Sequence, residues 1–413
     1  MSDLVAPFEG ERYAAVDRLS SLIAPPYDVI DQAERARYAA LAAENIVHVM
    51  LPEAPPGEPD EARYRVAAER LANWRRKGVL RRDQQPVLYV LAQDFTLPTG
   101  EKLTRRGLFG AVAAEGYEPR RVRPHERTHA GPKADRLALM RATATNIESI
   151  FLLAPDRDRA LADAVAKVSE GTPDATAELN GVGIRLWIAH DPSPFPLPPS
   201  PLYIADGHHR YETASAYALE NPGGAADRVL ALIVSAQDPG LAVLPTHRVI
   251  FGTGRELERM LPRWREWFDV QPVAADRDPV TALASLGRDR TACLVADRSR
   301  ILALLLKPGA LPDRLPSLAQ SSAVRDLDVA RIESLVVKEI LGAGTSTPIV
   351  RYVADAKEAL GMVQQGGAAV AVLLNPTRVE QVFAVADAGD VMPPKSTYFV
   401  PKVPSGLVLR PLT

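Results

Sequence analysis

Apolar and polar positions along this chain alternate in short blocks, some at helical spacing and some at strand spacing. Asp31 looks like an N-cap for a helix running to about Glu44, and Asn45–Leu51 reads as a strand. Over Asp60–Lys77 the residues Tyr64, Ala67, Ala68, Leu71 and Trp74 recur on one face, which predicts a long amphipathic helix. Pro86–Phe95 and Lys102–Ala113 are strand-like runs around a Pro-Thr-Gly turn, a hairpin signature. A helix carrying Leu137, Met140 and Arg141 follows. After it come a strand near Ile147–Leu153, a helix near Arg157–Val168 and a strand pair at Thr176–Leu179 and Val182–His190. Pro192–Pro201 holds six prolines and reads as an extended crossing segment, with a domain linker as the alternative. Leu202–Ala205 is a short apolar run that predicts a buried strand. Asp206-Gly207 is a turn signal, and from His208 the positions Tyr211, Ala214, Ser215 and Ala218 fall on one helical face.

Val229–Ser235 and Leu241–Ile250 predict two more strands. After a break at Gly252–Gly254, a helix over Arg255–Phe268 leads into short alternating elements at 291–295, 301–306, 329–341, 354–365, 368–374 and 377–382. The pattern is that of a mixed α/β (α+β) protein. The break divides it into a core over 1–251 and a C-terminal α/β portion over 252–413 whose tail packs back on the core.

Composition narrows the function classes. The chain has 413 residues, 46% of them hydrophobic and 24% charged, which is globular composition with ample core material. A net charge of −2 supplies no bulk attraction to nucleic acid. The one cysteine, Cys293, rules out an internal disulfide and a cysteine-built zinc site. Met1–Phe8 lacks the basic and apolar regions of a signal peptide, and no apolar run reaches membrane-spanning length. A cytoplasmic protein with no nucleic-acid or membrane partner is expected; a homodimer is left open.

The candidate chemistry starts at Asp206-Gly207-His208-His209-Arg210. A strand that runs through a tight turn into a helix presents unpaired backbone N–H groups and the positive end of the helix dipole. Two His and one Arg at that end, in a chain with seven His, make an anion site suited to phosphate. A second stretch, Arg120 to Lys133, contains His125-Glu126-Arg127-Thr128-His129, a literal H-E-x-x-H. On a helix that spacing holds zinc for hydrolysis. Here Pro124, Gly131 and Pro132 crowd the motif with helix breakers, so the zinc-hydrolase reading ranks third. Read instead as a loop, the stretch offers Glu126 among Arg120, Arg121, Arg123, Arg127 and Lys133, a general base held near a polyanion. No P-loop, Rossmann fingerprint or G-x-S-x-G elbow occurs.

Five ordered motifs resemble the domain-of-unknown-function family 1015: Ala24–Val29, Pro124–Thr128, Pro132–Leu137, Ala205–Tyr211 and Met392–Tyr398. Among them, Pro124-His125-Glu126 and Asp206–Tyr211 look like the paired motifs of free serine kinases with a ParB/sulfiredoxin-like nucleotide-binding fold. The resemblance implies a ParB/sulfiredoxin-like core, ATP or ADP with magnesium, and phosphoryl transfer to a metabolite hydroxyl, free L-serine first. It implies Glu126 as the base and Asp206, Gly207, His209 and Arg210 as ligands of phosphate or metal; the His208 N–H is expected to join the phosphate ligands, and Asp206 is the expected metal ligand. His125, Arg127, Lys133, Arg136, Lys395, Ser396 and Thr397 are expected on the substrate side. The alternative is a nucleotide-binding regulatory protein without metabolite chemistry.

Overall fold

The computed structural model describes residues 4–118, 120–128, 130–198, 201–252, 257–274, 276–310, 321–342 and 349–413. The chain forms two units. One holds the residues up to Pro124 together with Thr128–Ala242 and Pro401–Thr413; the other holds His125–Arg127 and Val243–Val400.

In the first unit, α1 (Gln32–Leu41) begins at a capping box. Asp31 accepts from the Glu34 N–H and Glu34 accepts from the Asp31 N–H, so two end donors are satisfied reciprocally. The expected strand at Asn45–Leu51 is instead a short helix, α2 (Val47–Met50). Val47, Val49 and Met50 are buried and His48 is half-buried, so the four residues are too few and too apolar to show a helical period. Asn45 decides the local structure: its side chain accepts from the Val47 N–H and donates to the Ser21 and Ile23 carbonyls. α3 (Ala62–Arg76) buries Ala67, Leu71 and Trp74, as its spacing predicts. Three further helices are α4 (Ala130–Thr143), α5 (Ala160–Val168) and α6 (His208–Glu220).

Among the described residues nine strands make the central sheet: β1 (Val5–Ala6), β2 (Leu88–Thr96), β3 (Lys102–Ala113), β4 (Val122–Arg123), β5 (Ile150–Ala154), β6 (Ala175–Leu179), β7 (Val182–Ala189), β8 (Leu202–Asp206) and β9 (Arg228–Ser235). Their order is β4-β8-β5-β9-β3-β2-β7-β6, with β1 alongside β3. The β2–β3 hairpin is antiparallel and runs Tyr89↔Phe109 to Thr96↔Lys102, while β4–β8 and β5–β9 are parallel, so the sheet is mixed. One buried cluster joins Leu88, Val90, Leu108, Leu152 and Ile204 of the sheet to Tyr211 and Ala214 of α6. That burial fixes α6 directly after β8, because an apolar stripe of a helix is stable only against another apolar surface. Lys133–Glu212 and Arg141–Glu220 ion pairs join α4 to α6.

The second unit carries a six-stranded antiparallel sheet: β10 (His247–Phe251), β11 (Phe268–Pro272), β12 (Ala292–Ala296), β13 (Ile301–Leu306), β14 (Ile349–Val353) and β15 (Val370–Leu374), in the order β11-β13-β12-β15-β10-β14. Helices α7 (Leu261–Trp267), α8 (Pro279–Leu286), α9 (Ala356–Gln364) and α10 (Val379–Asp387) accompany it. Of the helix expected over 255–268, residues 255–256 lie outside the described residues and Phe268 already belongs to β11. Cys293 is fully buried in β12. Among the described residues no helix is long and apolar enough to cross a membrane.

Candidate functional site

The junction of β8 and α6 carries the first candidate cluster. Leu202 to Ala205 are buried, so the strand is fixed on both faces and delivers Asp206 at its end. Gly207 occupies the N-cap with φ 93°, a left-handed conformation that side chains resist. A Cβ at Gly207 would lie 3.0 Å from the Arg210 guanidinium, so the glycine also makes room for that side chain. His208 is buried and His209 half-buried. The first-turn N–H groups of α6 have no intrahelical acceptor by geometry.

Arg210 is 7% exposed and folds back under the turn: it donates to the Asp206 carboxylate and to the Ser149 carbonyl. Asp206 therefore does not cap the helix. Its second oxygen accepts from Lys402 Nζ at 2.7 Å. Burial pushes the Asp206 carboxyl up, but Lys402 and Arg210 outweigh it and hold the group well below the usual carboxylate range. A polar row continues across the same unit. Phe151, the β5 partner of Asp206, lies under the Arg105 guanidinium at 4.5 Å. Arg105 donates to Gln93, and Gln93 donates to the Lys402 carbonyl at 3.0 Å. Arg105 is 1% exposed, and burial pulls it down to about 9.

Lys133 and Arg136 sit on α4. Lys133 donates to Glu212 of α6 at 2.8 Å, and the Thr128 hydroxyl donates to the same oxygen at 2.7 Å. Burial raises Glu212, yet these donors leave it lowered overall. Arg136 donates to the Met50 carbonyl and to Asp135, lies 3.6 Å from Glu148, and stacks over the Tyr27 ring at 4.4 Å. Glu148 accepts from the Tyr27 N–H at 2.9 Å, and burial raises it. Tyr27, Arg35, Arg63, Asp135 and Arg136 line an open cleft of about 940 Å³.

In the second unit, the His125–Arg127 stretch meets the Met392–Thr397 turn. The Met392 N–H donates to the His125 carbonyl at 2.8 Å, and His125 Nε2 shares a hydrogen bond with the Thr397 hydroxyl at 3.1 Å. The Ser396 hydroxyl donates to the Pro393 carbonyl, and its own carbonyl accepts from Thr377, so this side chain shapes the turn. Lys395 is exposed at φ 55°, and Arg127 is exposed. Glu126 is half-buried. The helical premise of the zinc reading is not met: residues 124–128 are irregular and α4 starts only at Ala130, so His125 gains no helical i+4 partner. His129 lies outside the described residues. Among the described residues no three His, Cys, Asp or Glu side chains group as metal ligands.

Lys402 and Arg105 lie at the Asp206–Arg210 turn, Glu148 lies by Arg136 and Glu212 by Lys133; the sequence pattern marks none of these four as a partner. Lys402 has one local mark, a position between Pro401 and Pro404 in a stiff extended segment.

A family model described as "Protein of unknown function (DUF1015)" matches residues 5–330. No curated protein matches the chain by sequence. Among solved structures, the chain is similar to a free serine kinase in complex with AMP, at 14% identity and TM-score 0.39, over 71% of this chain and 87% of that one. It is similar to a conserved hypothetical protein from Pyrococcus furiosus, at 15% identity and TM-score 0.36, over 72% and 93%. SbnI with a C-terminal truncation from Staphylococcus aureus matches at 12% identity and TM-score 0.39, over 74% and 87%. At these scores none of them transfers a ligand or an activity.

Proposed function

The chain belongs to the DUF1015 family, and from its own geometry we propose a nucleotide-dependent kinase that transfers a phosphoryl group to the hydroxyl of a small metabolite. The observation that carries this reading is the β8–α6 junction. A helix N-terminus, a left-handed glycine and a cluster of cations surround one carboxylate held ionised. His208, His209 and the first-turn N–H groups are the proposed phosphate ligands. Arg210 is proposed as the clamp that fixes Asp206 and the turn.

Glu126 is proposed as the general base. Glu126 is half-buried in the irregular segment 124–128. Glu126 would take the proton of the substrate hydroxyl. The hydroxyl oxygen then bonds to the terminal phosphorus, the bond to the bridging oxygen breaks, and ADP or AMP leaves. Both Asp206 oxygens already accept from cations, which fits magnesium bound mainly through the nucleotide's own phosphates, with Asp206 lending at most one lone pair. The metal would neutralise phosphate charge there. Free L-serine is the first acceptor to try; the charged cleft at Tyr27, Arg35, Arg63 and Arg136 is compatible with a small polar acceptor.

Purified protein incubated with ATP or ADP, magnesium and serine, then assayed for phosphoserine, tests the proposal. Product that disappears in Glu126→Gln supports it. Nucleotide binding without any phosphorylated hydroxyl compound supports the second reading, a regulatory nucleotide-binding protein, since phosphate binding at the junction needs no general base.

A further inference from the structure

Lys402 reaches Asp206 from 196 residues away, and two hydrogen bonds hold it there. Its ammonium donates to Asp206 at 2.7 Å, its carbonyl accepts from Gln93 at 3.0 Å, and Gln93 is itself oriented by Arg105. An amide can face either way, and the guanidinium decides: Arg105 can only donate, so the Gln93 oxygen turns to it and the Gln93 NH2 turns to Lys402. Arg105 does this while 1% exposed, with Nε and Nη1 buried and without a hydrogen-bond partner among the described residues. A structural clamp would satisfy those donors, because unpaired buried N–H groups are destabilising. What the arrangement gains is charge beside Asp206.

Arg210 and Lys402 bond Asp206 directly, and His208 and Arg105 act on it through their charge. The opposing acids are Asp238, which acts on Arg105, and Asp28 and Glu148, which act on Arg210. Burial raises both Asp238 and Glu148. Arg210, Lys402, His208 and Arg105 thus gather around one carboxylate at a helix N-terminus, where a polyanion finds donors.

We infer that Lys402 is a phosphate-contacting residue of the Asp206–Arg210 junction, delivered by the C-terminal segment and positioned by Gln93 and Arg105. This rests on the nucleotide reading above and deepens it. Its consequence is that Pro401–Thr413, which lies beyond the matched family region, completes the site. The lysine is 17% exposed, so a phosphate oxygen can approach its ammonium while the stem stays packed. On binding, Lys402 shares its donors between Asp206 and the terminal phosphate.

Titration calorimetry of the full chain with ADP and with adenosine tests this. Lys402→Gln is expected to weaken ADP by about tenfold or more while leaving adenosine within about twofold, and Lys402→Arg to recover most of the loss. Gln93→Met, which frees the Lys402 carbonyl, is expected to weaken ADP by about threefold. A second measurement needs no variant: amines of the wild-type protein are acylated with and without ADP, and Lys402 is followed by peptide mass mapping. ADP is expected to shield Lys402 and adenosine to leave it reactive. Equal ADP affinity in wild type and Lys402→Gln, or equal labelling with ADP bound, overturns the assignment while the nucleotide site stands. A wild-type protein that binds no ADP overturns both.

Discussion

Arg210 and Arg248 invite comparison. Both are almost fully buried, at 7% and 1% exposed; each pairs with one carboxylate and donates to one backbone carbonyl. Their settings differ. The acid of Arg210 ends a strand ahead of a left-handed glycine and a 13-residue helix, and it gathers Lys402 as a second cation. Arg248 lies within β10, paired on both sides, under the Tyr352 ring at 5.3 Å. Its acid, Glu333, sits at the start of a π-helical turn over Glu333–Val337, inside a helical run. A buried arginine–carboxylate pair is thus not itself a site. What sets the first apart is its position at a helix N-terminus and the cations it collects.

The largest expected effect concerns chemistry. Glu126→Gln should cut turnover by about 10²–10⁴-fold with ADP affinity unchanged, measured by product assay and calorimetry. Full turnover in that variant would remove Glu126 as the base.

Next come the two pairs themselves. Asp206→Asn leaves the buried Arg210 guanidinium unmatched and should destabilise by about 3–5 kcal/mol in denaturant melts; Arg248→Met leaves the half-buried Glu333 and the Thr246 carbonyl without their donor and should destabilise by about 1–3 kcal/mol. Only Asp206→Asn should also weaken ADP. If Arg248→Met weakens ADP as much, the distinction between the two regions breaks.

Acid should separate them as well. Burial and the neighbouring Arg248 lower His247 to about 4. Its folded value lies below the unfolded value of about 6.5, so the unfolded chain binds the extra proton. Stability from this residue is present above about pH 6.5 and is lost as pH falls toward 4, by about 3 kcal/mol in all. Asp206 is likewise lowered, but from a carboxylate value, so its contribution is lost only below about pH 4. The difference between wild type and His247→Gln in melts from pH 7 to pH 4 isolates the first effect; parallel curves would contradict it.

The smallest is local. Gly207→Ala forces a side chain into φ 93° and against Arg210, and should cost about 1–3 kcal/mol together with ADP affinity. Gly223→Ala, at the same φ with open space around it, should lose stability without losing ADP.

Much of this is legible in the sequence wherever the signal is local. The Asp31 capping box, the α3 stripe, the β2–β3 hairpin and the β8-turn-α6 junction each follow from spacing within about one element. α2 escapes because four residues, three of them buried and apolar, are too few to show a helical period. The partners of the junction are not legible for a different reason. Lys402 meets Asp206, and Glu148 meets Tyr27, across 196 and 121 residues, and a long-range ion pair or hydrogen bond leaves no periodic mark on either segment. The motifs at 125 and 397 both stand out, but nothing in their spacing says that His125 and Thr397 bond each other.

The central claim is that the β8–α6 junction holds a nucleotide by its phosphates. Calorimetric titration of wild type and Asp206→Asn with ADP and adenosine, in magnesium at neutral pH, tests it directly. The account predicts that wild type binds ADP at least about tenfold more tightly than adenosine and that Asp206→Asn abolishes this preference. A folded Asp206→Asn protein that keeps the full preference, or a wild type with none, would contradict it.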